Sequence, residues 1–90
     1  MIFEAVGAPG TLEIMAEKCA DLGRVSLEYS RKLRGEGVCE RDLRDIRADM
    51  EAEMATMEVM LEEISRSDLV EKQRINEEKL YKKLWITRHY

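Results

Sequence analysis

Apolar residues recur along this chain at alternating spacings of three and four. One run is Leu12, Met15, Cys19, Leu22, Ser26, Tyr29 and Leu33, and another is Leu43, Ile46, Met50, Glu53, Met57, Met60 and Ile64. That rhythm returns to one face of a helix and predicts two amphipathic helices. The first is expected from Thr11 to about Arg34. Thr11 serves as its N-cap, Glu13 lies in the first turn, and Gly35 stands at the C′ position. The loop Gly35-Glu36-Gly37-Val38 turns the chain, and the second helix is expected from Glu40 to about Ile64. Ser65-Arg66-Ser67-Asp68 then interrupts the pattern and offers Ser67 as a cap. A third helix is expected over Asp68 to Ile86, polar early and bearing Leu80, Tyr81, Leu84 and Trp85 late.

Residues 1–10 read as an irregular arm, 11–86 as a single all-α domain, and 87–90 as a tail that frays. After Gly37 there is no glycine or proline, and the stretch is rich in Glu, Lys, Arg, Leu and Met, which favours helix. Ninety residues leave a lone protomer with a thin core. The economical solution is a three-helix protomer assembling into a dimeric or higher-order helical bundle, a homo-oligomer.

Composition narrows the classes. The chain is 44% hydrophobic and 38% charged, too apolar for disorder and too charged for a membrane protein. No apolar run approaches the ~20 residues that cross a bilayer. Met1-Ile2-Phe3-Glu4 lacks the basic start and long apolar run of a secretory leader, so the cytoplasm is the expected compartment. Cys19 and Cys39 have no metal-like spacing and are expected as reduced thiols. Net charge is -4 and uneven: residues 1–65 carry 8 basic and 15 acidic side chains, residues 66–90 carry 7 basic and 4 acidic. An acidic body with a basic last helix argues against duplex nucleic acid as a partner. It suits a site where carboxylates and cations meet a phosphate, or simply helices that attract one another.

Most catalytic constellations are missing. His89 is the sole histidine and sits near the end of the sequence, so a Ser-His-Asp or Cys-His arrangement is not expected. Zinc-ligand spacing and a glycine-rich phosphate loop are also missing. What remains is carboxylates on helices. Glu17 and Asp21, four apart, share a face of the first helix. Glu53 lies on the apolar stripe of the second, where a carboxylate is costly unless paired, hydrogen-bonded or metal-bound. Inward carboxylates on facing helices are how bundles hold Mg²⁺. The plainer alternative is that Glu17 and Asp21 are solvated and pair with nearby cations.

Glu17-Lys18-Cys19-Ala20-Asp21-Leu22, followed by Leu33-Arg34-Gly35, resembles the first conserved segment of the MazG-like all-α nucleoside triphosphate pyrophosphohydrolases. The run Glu53-Met54-Ala55-Thr56-Met57-Glu58-Val59-Met60-Leu61-Glu62 is similar to the second segment. Glu78 to Leu84 resembles the closing helix of small members. The resemblance spans roughly residues 12–86. It implies Mg²⁺ held by an E-x-x-E pair and an E-x-x-D pair, and hydrolysis of a nucleoside triphosphate to monophosphate and pyrophosphate. Here Lys18 stands at the first glutamate position, Asp21 and Glu53 match the second and third, and Thr56 replaces the aspartate. Ala52 replaces an acidic residue that often precedes Glu53. A protonated lysine cannot ligate a metal, though it can take the ion's place electrostatically.

Three functions are therefore open. One is a degenerate MazG-like pocket that sequesters or senses a nucleotide or related phosphate ligand, with Lys18, Asp21, Glu53, Thr56, Lys79 and Lys82 as its contacts. Another is an Mg²⁺-dependent pyrophosphohydrolase with Glu17, Asp21 and Glu53 as metal ligands. The last is a helical interaction module without a small ligand, using the Met-rich face of the second helix.

Overall fold

The computed structural model describes residues 2–36 and 41–90. These residues form three helices and no strand: α1, Ile2–Arg34; α2, Leu43–Ser65; and α3, Lys72–His89. The chain is all-α, and none of its described helices is long and apolar enough to cross a membrane. The expected start of the second helix at Glu40, together with Gly37, Val38 and Cys39, lies outside the described residues. The chain divides into two compact units, Met1–Met60 and Leu61–Tyr90.

The first unit is an antiparallel hairpin of α1 and the greater part of α2. The stretch expected to be an irregular arm is helical from Ile2, with a break at Gly7, where φ is 74° and ψ is 177°. That conformation is open to glycine and not to residues bearing a Cβ. Pro9 follows in the first turn beyond the break, where a missing N–H costs nothing. Helix therefore resumes before Thr11, which is not an N-cap. Thr11 is fully buried, and its hydroxyl donates to the Gly7 carbonyl at 2.8 Å. A Cβ at Gly10 would lie 2.8 Å from Val6 Cβ, so the absence of a side chain lets the two sides of the break approach.

The far end of α1 closes as the sequence predicts. Gly35 adopts φ 70°, its N–H bonds the Lys32 carbonyl at 3.2 Å, and the Glu36 N–H reaches Arg31 at 3.0 Å. These two bonds make a Schellman closure. At the start of α2 the Asp42 carbonyl accepts from the N–H groups of Asp45 and Ile46.

Val25, Ile46, Met57 and Met60 are the buried apolar side chains of this unit, with Ile46 wholly inaccessible. Three come from the predicted stripe of α2, whereas the one buried apolar side chain of α1 among the described residues, Val25, lies outside the predicted stripe. Leu12 and Leu33, both in that stripe, are exposed. The middle of the predicted stripe does meet α2, Cys19 against Met57 and Ser26 against Met50, with Leu22 and Tyr29 half-buried, and Lys18 and Val25 widen this inward face.

The second unit contains the end of α2, where Ile64 is buried, and α3, which has no buried residue. Ser67 does not cap α3. Its hydroxyl donates to the Ile64 carbonyl at 2.6 Å and accepts from the Leu69 N–H at 3.3 Å, so it finishes α2 instead. The third helix accordingly starts at Lys72 rather than Asp68, with Glu71 at its N-cap. The expected fraying after Ile86 is also not seen. Helix continues through His89, whose ring stacks on Trp85 with centroids 4.3 Å apart, while the Thr87 hydroxyl bonds the Lys83 carbonyl at 2.8 Å.

Candidate phosphate site on the helical hairpin

Two contacts fix the register of the hairpin. Cys19 Sγ lies 4.0 Å from Met57 Sδ, and Ser26 Oγ lies 3.6 Å from Met50 Sδ. The Ser26 proton goes to the Leu22 carbonyl, 2.7 Å away, so its approach to Met50 is a packing contact. Seven residues along α1 thus match seven along α2 in the opposite direction. In that register Asp21 and Glu53 differ by about 3 Å in height along the hairpin, at about 1.5 Å per residue. Lys18 and Thr56 differ by the same amount. The four positions singled out in the sequence share one short length of the hairpin.

Their side chains are engaged as follows. Lys18 Nζ pairs with Asp21 Oδ2 at 3.7 Å, and Arg24 pairs with Asp21 Oδ1 at 3.2 Å. Asp21 is therefore held by two cations of its own helix. Glu53 is half-buried on the inward face of α2, beside Met50 and Met57. The Thr56 hydroxyl turns to its own helix and donates to the Ala52 carbonyl at 3.1 Å. Glu17 is exposed. Among the described residues no group of three or more His, Cys, Asp or Glu side chains is placed to hold a metal ion. Glu17, Asp21 and Glu53 of one chain therefore do not form a cation cage. Lys79 and Lys82 belong to the second unit, are exposed, and Lys82 Nζ lies 5.7 Å from the centre of the Tyr81 ring.

Two features near the loop end of the hairpin were not anticipated from the sequence. Arg41 ties the helices together by pairing with Glu28 on α1 at 2.7 Å and with Asp49 on α2, and it also donates to the Asp45 carbonyl. The bond to Asp49 raises the Arg41 pKa above its ordinary value; desolvation opposes it, and the charges of Asp49, Glu28 and Asp45 add to the rise. Beside it lies a cleft of about 270 Å³ lined by Tyr29, Leu43, Arg44 and Arg47. The available signal was the spacing of arginines at 41, 44 and 47, which puts three cations on neighbouring turns.

No family model matches this chain, and comparisons with curated proteins and with solved structures find no match. What the geometry defines is an all-α chain whose hairpin brings two acidic, one basic and one hydroxyl position to a common level.

Proposed function

We propose that this protein binds a nucleotide or other phosphate-bearing small molecule at the level of Lys18, Asp21, Glu53 and Thr56, and holds it without cleaving it. The observation that carries this reading is the ion pair of Lys18 with Asp21, on the same short length of the hairpin as Glu53. In a pyrophosphohydrolase of the kind the sequence resembles, that stretch presents a pair of carboxylates to Mg²⁺. Here one position of the pair is itself a cation. An ammonium group offers a phosphate oxygen a charge-assisted hydrogen bond without any metal. It does not supply a metal-activated water.

The reading includes self-association. Leu12, Leu27 and Leu33 on α1, and Met54, Val59 and Leu61 on α2, stay exposed in one copy. A second copy would cover such positions and wall the phosphate site. Mg²⁺, if used at all, would need carboxylates from both copies.

The test is a thermal-shift panel of nucleotides on the purified protein, with mass spectrometry of anything released on denaturation. A ligand that raises the melting temperature of the wild type, and does so much less in Lys18→Gln, is the expected result. No shift across the panel, with nothing released, would refute the reading. Mg²⁺-dependent pyrophosphate release that disappears in Glu53→Gln would establish an enzyme instead. The double variant Lys18→Glu, Thr56→Asp restores the acidic pattern and should gain Mg²⁺ affinity.

A ligand-free assembly module is the second reading, favoured by α3, which has no buried residue. Its mark is a stable oligomer by light scattering that no nucleotide perturbs.

A further inference from the structure

The cleft at the loop end of the hairpin has a chemistry of its own. Arg44 and Arg47 are three residues apart on α2, so they project from one face. Tyr29 approaches from α1 and is half-buried, and Leu43 supplies an apolar wall. Neither guanidinium has an ion-pair partner among the described residues. Two carboxylates at this end of the hairpin, Glu28 and Asp49, are paired with Arg41 instead. Arg44 and Arg47 therefore stand outside ion pairs on a segment that is otherwise strongly acidic, with 15 acidic against 8 basic side chains over residues 1–65.

Guanidinium groups are planar forks that match the oxygens of phosphate two at a time. An aromatic ring beside them offers a flat apolar contact for a ring carried by the same ligand. A cleft of about 270 Å³ falls just below the usual range for small-molecule sites, which suits one phosphate with one attached ring. We propose that this cleft is a binding site for an organic phosphate monoester whose phosphate is clamped by Arg44 and Arg47 and whose ring lies on Tyr29. It is separate from the Lys18–Glu53 level. Tyr29 is eight residues beyond Asp21 on α1, about 12 Å along the axis at 1.5 Å per residue. The inference does not depend on the function proposed above.

Phenyl phosphate is the probe, titrated into the full chain at low salt and followed by amide NMR shifts. Inorganic phosphate and phenol serve as its two halves. Saturable binding of phenyl phosphate, weaker binding of inorganic phosphate and none of phenol are expected, with shifts centred on Tyr29 and residues 43–47. Arg44→Gln, Arg47→Gln together should weaken binding at least tenfold at unchanged helicity, whereas Lys18→Gln should leave it unchanged. Should the glutamine pair disturb folding, Arg44→Lys, Arg47→Lys keeps the charge and removes the forks, and it should still weaken binding. Failure to saturate, equal affinity in the arginine variants, or loss of binding in Lys18→Gln would each overturn the proposal.

Discussion

The α1–α2 hairpin and α3 draw on the same helix-forming residues, yet they are held in different ways. On α2, Ile46, Met57, Met60 and Ile64 fall on one face and are buried. On α3, Leu84, Trp85 and Ile86 are consecutive, and consecutive residues of a helix point in directions about 100° apart. Together with Ile75, Leu80 and Tyr81 they encircle the helix instead of forming a stripe, and all six are exposed. What α3 has instead is a set of contacts one turn apart: Arg74 with Glu78 at 2.7 Å, Trp85 on His89, and the His89 Nδ1 against the Trp85 carbonyl at 2.8 Å. Such pairs are worth only a few tenths of a kcal/mol each. Helix content alone therefore says little about where the stability of this chain resides.

The sharpest way to break the comparison is one truncation in each region. Ile46→Ala removes a fully buried side chain and should cost about 2–5 kcal/mol in urea unfolding. Leu84→Ala, at a position 56% exposed, should cost next to nothing in a lone chain. If Leu84→Ala proves costly and its effect depends on protein concentration, a second copy covers α3.

Two glycines carry the next effects, of opposite sign. Gly35→Ala forces a Cβ into the left-handed region and should lose about 1–2 kcal/mol. Gly23 is helical and exposed, and an added Cβ would meet nothing within 4 Å. Gly23→Ala should therefore gain about 0.5–1 kcal/mol through helix propensity. A loss at Gly23 would mean that another copy approaches α1 closely there. Both follow from denaturation midpoints by circular dichroism.

Periodicity makes the first two helices and the inward face of α2 legible, because Leu43 to Ile64 keeps one rhythm over six turns, whereas α3 is legible from a stretch without glycine or proline. The face of α1 is legible only in its middle, because Leu12 and Leu33 at the ends of the stripe are apolar without being buried, while the buried Val25 lies outside it. Thr11 has the chemistry of a cap, but Gly7 and Pro9 had already set the helix start, a consequence of φ at Gly7 that composition does not display. Ser67 shows the reverse ambiguity: a serine between two helices can finish one as well as begin the next. Of the candidate site, the common level of Lys18, Asp21, Glu53 and Thr56 follows from hairpin register. The commitment of Asp21 to both Lys18 and Arg24 does not, because three-residue spacing permits such pairs without requiring them. The Arg41 bridge joins α1 to α2 across the loop and has no local sequence signature at all.

A small and local effect tests how α3 ends. Trp85→Ala removes both the stack on His89 and the edge contact with Tyr90, 5.9 Å between centroids. The His89 ring then retains only its contact with the carbonyl of residue 85. The expected cost is about 0.2–0.5 kcal/mol, confined to the helix terminus. Amide exchange should quicken for Thr87 to Tyr90 and stay unchanged in the hairpin. Should the hairpin amides quicken as well, Trp85 supports more than its own helix, and the contrast between a hairpin held by burial and a helix held by neighbouring pairs would fail.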